Sequence, residues 1–174
     1  VINRIQFAII YLCDFSAMQF KDFLSKHNIC IDPNAQTKTA VLLKISQLLS
    51  KNQTFLDTET LFDAYWKRES LGSTTIGHGI IIPHIRTELT SNAMGCFLKL
   101  HHPVDFGAED KQPIDLVFAL LVPQDQTDQH LTMLSLITKQ FSDPLFRKAC
   151  RLAKNSDEIY HLFTQESTRV LEPA

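Results

Sequence analysis

Apolar positions recur at helical spacing through the first part of the chain. Phe20, Phe23, Leu24 and His27 predict a helix within Ala17–His27. The pattern is stronger in Thr37–Lys51, where Val41, Leu42, Ile45, Leu48 and Leu49 share one face. Asp57 or Thr58 is suited to cap a third helix carrying Leu61, Phe62, Tyr65 and Trp66. Glu59 falls in its first turn, where the helix dipole favours an acid, and Gly72 ends the region. The middle of the chain changes period. Gly79–Ile82 and Ala93–Leu100 are predicted strands, and Val104–Phe106 a short third. Ile114–Val122 is almost unbroken apolar sequence ending at Pro123, which predicts a central strand buried on both faces. Pro123 to Asp128 then reads as a polar loop.

Helical spacing returns at the end. Leu131, Leu134, Thr138 and Phe141 predict one buried face after His130. Asp143-Pro144 places a cap ahead of a proline at the first helical position. Asn155-Ser-Asp-Glu158 resembles a capping box for a last helix with Ile159, Leu162 and Phe163. From Thr164 the tail reads as loose. Helices, then strands, then helices predict one α/β sandwich with helices on both sheet faces.

Composition narrows the class. The 174 residues suit a single domain with a sizeable core. At 44% hydrophobic and 21% charged, the chain reads as an ordinary globular protein. A net charge of -2 offers no general attraction to nucleic acid or an anionic membrane. No apolar run approaches the roughly 20 residues of a spanning helix, so no membrane insertion is expected. Ile5–Cys13 is apolar but short, and a secretory signal is not expected there. Cys13, Cys30, Cys96 and Cys150 are scattered, with no paired spacing. A reduced, cytoplasmic setting follows most simply, with Cys96 and Cys150 packed as small hydrophobes.

The candidate chemistry concentrates in Gly72-Ser-Thr-Thr-Ile-Gly-His-Gly-Ile-Ile-Ile-Pro-His84. Three of the five glycines lie in this stretch. They permit an unusual backbone path, and the apolar run reads as a strand ending at Pro83. Of the seven histidines, His27 and His161 fall in helical patterns, and His101-His102 read as surface residues before Pro103. His84 and His130 differ, because each follows a predicted buried strand or its loop. His130 falls in a first helical turn capped by Thr127 or Asp128, a setting that suits an anion. Spacing alone leaves open whether His130 joins His84 or is only a polar first-turn residue.

Motifs for other chemistries are missing. There is no His-Glu-x-x-His, no compact Cys/His set, no Gly-x-Ser-x-Gly and no Gly-Lys-Ser/Thr phosphate loop. No metal or cofactor is expected. A histidine that itself accepts a group remains, since neutral imidazole is nucleophilic near its ordinary pKa of about 6.5. Hydroxyls, Arg68 and a helix N-terminus could supply the donors that a phosphoryl group needs.

Two blocks carry a resemblance. Arg68-Glu-Ser-Leu-Gly-Ser-Thr-Thr-Ile-Gly-His-Gly-Ile-Ile-Ile-Pro-His84 closely resembles the active-site block of fructose/mannitol-type enzyme IIA domains. These belong to the bacterial phosphoenolpyruvate phosphotransferase system. The second block runs from Phe106 to Leu131, and its Leu-Val-Pro-x-Asp-Gln-Thr wording is most similar to the nitrogen-related branch. The likeness spans about Lys38 to Phe163. It implies a three-layer α/β/α sandwich with a mixed central sheet over residues 37–174, including a short loose tail. Residues 1–36 are then an N-terminal extension, partly helical, outside the likeness.

The resemblance also implies roles. His84 matches the histidine that receives a phosphoryl group from a histidine-phosphorylated carrier protein. His130 matches the second active-site histidine, which holds that group. Arg68 matches an arginine suited to stabilise its charge, and Ser73 and Thr74 match positions lining the same region. One departure lies beside the acceptor. The nitrogen branch usually reads Pro-His-Gly-Lys, whereas this chain reads Pro83-His-Ile-Arg86. The β-branched Ile85 disfavours a positive φ, so the local backbone either does not need one or has shifted. Arg86 keeps the charge but not the lysine geometry.

The implied function is a phosphocarrier and regulator, a component of a phosphotransferase rather than a stand-alone enzyme. It would act on partner proteins according to its phosphorylation state. Two alternatives stand beside it: a sugar-specific IIA subunit passing phosphate to a IIB component, and a binding module that has lost transfer. A metal-dependent hydrolase is the outside option.

Overall fold

The computed structural model describes residues 17–32 and 34–165. Its central layer is a six-stranded sheet: β1 (Leu24–Asp32), β2 (Thr75–Gly77), β3 (Ile80–Ile81), β4 (His84–Thr87), β5 (Met94–Val104) and β6 (Ile114–Pro123). The order is β1-β5-β6-β3-β2, with β4 also paired to β6. β1 runs parallel to β5, β5 antiparallel to β6, and β3 and β4 parallel to β6, so the sheet is mixed.

β6 explains the layering, because its alternate residues serve opposite faces. Val117, Ala119 and Leu121 pack with α1 (Lys38–Ser50) and α2 (Thr58–Leu71). Leu116, Phe118, Leu120 and Val122 pack with α3 (Thr127–Ser142), α4 (Pro144–Leu152) and α5 (Ser156–Thr164). The second face is filled by phenylalanines, from Phe20–Phe163 with centroids 4.9 Å apart to Phe97–Phe141 at 6.4 Å. The chain is therefore a three-layer α/β/α sandwich.

The expected caps at Asp57, Asp143 and Asn155 are present, each accepting a backbone N–H of the first turn. The helix expected within Ala17–His27 is not. Phe20–Asp22 is a single 3-10 turn, and Leu24–Asp32 is a strand of the sheet. Its pairing breaks register between Leu24↔Gly95 and Ile29↔Phe97, and the intervening polar Ser-Lys-His-Asn hides the alternation of a strand. Phe20 and Phe23 are buried, but in the phenylalanine cluster rather than on a helix stripe.

Other expectations shift as well. The strand predicted over Gly79–Ile82 is broken at Ile82-Pro83 and resumes as β4, beginning at His84. β5 runs through Pro103 to Val104, so no separate strand forms at Val104–Phe106. The ladder loses register between Lys99 and Val104, which is where a proline can sit without a missing donor being felt. Along this stretch His101 and His102 are exposed, as expected of surface residues, with their rings 4.8 Å apart. In α3 the buried stripe is Met133, Ile137 and Phe141, while Leu131 and Thr138 are exposed. The expected cap Thr127 is the first helical residue, and Gln126 ahead of it makes no side-chain cap bond. Cys13 and the tail beyond Gln165 lie outside the described residues.

One contact ties the helical layer to the strand beneath the site. Tyr65 on α2 is buried, and its hydroxyl donates to the Leu120 carbonyl at 2.6 Å. Leu120 is also the register partner of His84. Replacing Tyr65 with Phe leaves that carbonyl unpaired by the hydroxyl and should cost about 1–3 kcal/mol. Urea unfolding of the variant checks this.

Candidate functional site

The turn ahead of the site needs its glycines. Gly77, His78 and Gly79 all have positive φ, at 87°, 57° and 78°. A Cβ on Gly79 would meet Asp115 Oδ1 at 2.8 Å, Arg151 Nη2 at 2.9 Å and the Pro113 carbonyl at 3.2 Å. Arg151 in turn donates to both Asp115 oxygens, at 2.7 and 2.9 Å, and to the His78 carbonyl. The turn is thus clamped at the end of the sheet, and β3 starts from a fixed point.

From there Ile80 and Ile81 pair with Leu116 and Val117, the chain bends at Pro83, and His84 opens β4 against Leu120. The Pro83 carbonyl accepts from the Leu120 N–H at 2.8 Å, which holds the bend on the sheet. Ile85 is buried and pairs with Leu121. Among the described residues only His78 and Lys111 are non-glycines with positive φ. Position 85 therefore does not need glycine in this backbone.

His84 and His130 come together. Their ring centroids are 5.1 Å apart in an edge-on arrangement. The strand order accounts for this, since His84 begins β4 and α3 starts just past the end of its neighbour β6. Both rings line one open cavity of about 760 Å³, with Lys67, Arg68, Arg86, Gln124, Thr127 and apolar neighbours including Leu71 and Leu131. Three cationic side chains and no carboxylate line it, so an anion is favoured there.

The imidazole geometry defines the reactive atom. His84 Nδ1 lies 2.7 Å from the Ile82 carbonyl oxygen. A carbonyl only accepts, so Nδ1 carries the proton and Nε2 keeps its lone pair. Burial pushes the His84 pKa below its ordinary value; the Ile82 bond opposes this, Arg68 lowers the pKa further and Glu69 raises it. His130 is pushed down to about 4, first by burial, then by His84, Arg86 and Arg68. Its Nε2 is buried and has no hydrogen-bond partner among the described residues. At neutral pH both rings are neutral.

A pH dependence follows. Both histidines gain protons more readily unfolded than folded, so stability is full above about pH 6.5. It falls as pH drops below the unfolded pKa and continues falling toward the His130 value of about 4. Urea unfolding at a series of pH values should show this decline. A His130→Asn variant should show a shallower one between pH 6.5 and 4.5.

The other expected site residues divide. Arg68 lines the cavity while donating from Nη1 to the Gly72 carbonyl at 3.0 Å. Ser73 and Thr74 are not among the residues lining it. Ser73 bonds Thr75 Oγ1 at 2.8 Å and lines a separate hollow with Glu109 and Asp110. Thr74 is buried and donates to Glu69 Oε2 at 2.8 Å. Lys67 and Gln124 were not identified from the sequence. Arg86 reaches Thr127 Oγ1 at 3.0 Å, joining β4 to the first turn of α3 across the cavity. The available signal for Lys67 was its place beside Arg68, which lies in the last turn of α2, where cations are favoured.

Known proteins resemble this chain over most of its length. Residues 22–166 match the family described as Phosphoenolpyruvate-dependent sugar phosphotransferase system, EIIA 2. The match begins ahead of β1. A nitrogen regulatory protein of Klebsiella oxytoca is 41% identical over 151 residues, covering 86% of this chain and 93% of its own. The crystal structure of nitrogen regulatory protein IIA-Ntr from Neisseria meningitidis superposes with a TM-score of 0.77 at 32% identity, over 82% of this chain and 97% of that one. IIA mannitol from Escherichia coli shares the fold, with a TM-score of 0.67 at 22% identity, over 80% and 98% of the two chains. Matched over most of its length, with two histidines set in one cationic cavity, this chain belongs to the EIIA 2 family of the phosphoenolpyruvate-dependent sugar phosphotransferase system.

Proposed function

We propose that this protein is a cytoplasmic phosphocarrier and regulator that accepts a phosphoryl group on His84 Nε2 from a histidine-phosphorylated carrier protein. The observation that carries the reading is the Nδ1 bond to Ile82, which leaves Nε2 bare in a cavity lined by Lys67, Arg68, Arg86 and His130. Nε2 attacks phosphorus, the new P–N bond forms, and the P–N bond to the carrier's histidine breaks. The Nδ1 proton stays on the ring, which becomes positively charged. The three cations and His130 meet the phosphoryl oxygens. Among the described residues no helix is long and apolar enough to cross a membrane.

Regulation follows from charge. A phosphoryl group adds roughly -1.5 to -2 at neutral pH, which offsets much of the positive charge that Lys67, Arg68 and Arg86 present to a partner. The likeness to nitrogen regulatory proteins supports partner control over sugar transfer as the outcome. Ser73 and Thr74 serve the site through the backbone segment ahead of His84 rather than by touching the phosphoryl group.

The test is to incubate the chain with radiolabelled phosphoenolpyruvate and the two upstream phosphotransferases. One acid-labile, alkali-stable phosphoryl group per chain is expected, and no labelling would contradict the reading. Efficient passage of that label to a sugar-transporting IIB component would favour the sugar-specific alternative instead.

A further inference from the structure

Behind the cavity lies a carboxylate that the transfer as described leaves unused. Glu69 is 5% exposed. It follows Leu61 and Tyr65 at four-residue spacing, so it sits on the buried stripe of α2. Its Oε2 accepts from Thr74 Oγ1 at 2.8 Å, and its Oε1 has no partner among the described residues. Burying a carboxylate with one oxygen unsatisfied is costly, and such a group calls for a role.

Its hydrogen bonds lead to His84. Thr74, held by Glu69, offers its carbonyl to the Ile82 N–H at 3.0 Å. The Ile82 carbonyl is the acceptor that holds His84 Nδ1 at 2.7 Å. The path from carboxylate to imidazole is continuous.

The charges around the ring have one sign except for this one. Lys67 and Arg68 approach from α2, Arg86 from β4, and neutral His130 from α3. Cations favour the incoming phosphoryl oxygens but oppose positive charge on the ring that takes them. Arg68 and Glu69 act on His84 in opposite directions, Glu69 favouring its charged form.

We propose that Glu69 is a positioning residue for His84, fixing the Ile82 carbonyl through Thr74 and stabilising the positive ring that forms when Nε2 takes the phosphoryl group. The inference rests on His84 being the acceptor. In the transfer Glu69 exchanges no atom: phosphorus leaves the carrier nitrogen for Nε2, and the Nδ1 proton remains in place.

Two variants of the full chain separate bridge from charge. Glu69→Gln keeps the size and an acceptor for Thr74 but removes the charge. Thr74→Val keeps the charge but cuts the bridge. With ¹⁵N-labelled histidine, the His84 titration midpoint is expected to fall in Glu69→Gln, because the group favouring the charged ring is gone. Phosphoryl transfer should slow roughly tenfold. In Thr74→Val the His84 Nδ1–H resonance should shift and exchange faster with solvent. A purely structural role would lower the thermal midpoint without moving the His84 titration. Ring titration and Nδ1–H signals matching the wild type in every variant that folds would overturn the proposal. If Glu69→Gln does not fold, Thr74→Val decides it alone. Titration needs no carrier, so an unlabelled wild type would sink the phosphocarrier reading while the ring measurements still judge Glu69.

Discussion

Replacing His84 with alanine will abolish acid-labile phosphorylation of the chain. The fold should survive, because the ring is only partly buried and gives up one hydrogen bond, to the Ile82 carbonyl. No other imidazole can substitute efficiently. His130 stands 5.1 Å away by ring centroid, and in-line attack loses about a hundredfold for a displacement near 1 Å. The exposed His101 and His102 sit on β5, outside the cavity lining. Labelling with the upstream phosphotransferases, beside a circular dichroism spectrum, checks loss of transfer against loss of fold. Label retained at the wild-type rate would contradict the assignment.

Replacing His130 with alanine should slow transfer by about 10² to 10³-fold while leaving His84 chemically competent. That is the usual range for deleting one preorganised donor to developing charge. Geometry and ionisation both point to this role. His130 Nε2 is buried without a partner among the described residues, and its ring stays neutral because burial and three nearby groups oppose its proton. A dianionic phosphoryl group on His84 would offset the cations around His130 and offer it a partner. Rapid-quench measurement of single-turnover labelling checks the rate. A fall below threefold would reduce His130 to a neighbour.

Much of this site was legible in the sequence because its anchors are local. The glycine turn, the strand ending near Pro83 and the central strand Ile114–Pro123 announce themselves by residue type and period. The meeting of His84 with His130 did not follow from spacing. It depends on β4 pairing parallel to β6, which is a tertiary choice. β1 is hidden in the sequence for the same reason, since four polar residues interrupt its alternation and only pairing with β5 reveals a strand. The phase of the α3 stripe is obscured because Leu131 is apolar yet exposed at the cavity rim. Glu69 was visible as an acid in register with Leu61 and Tyr65, a signal whose meaning depends on knowing that this stripe is buried.

The concern raised by Ile85 resolves in the backbone. Its φ is not positive, and its side chain fills the core beneath the cavity beside Leu121.

One particular nitrogen, His84 Nε2, is expected to accept the phosphoryl group. Nuclear magnetic resonance of the phosphorylated chain, with ¹⁵N in the histidines and ³¹P coupling read at alkaline pH, identifies that atom. The structure predicts a single phosphorus–nitrogen coupling to His84 Nε2, with Nδ1 still protonated against Ile82. Coupling to His84 Nδ1, or to any nitrogen of His130, would contradict it.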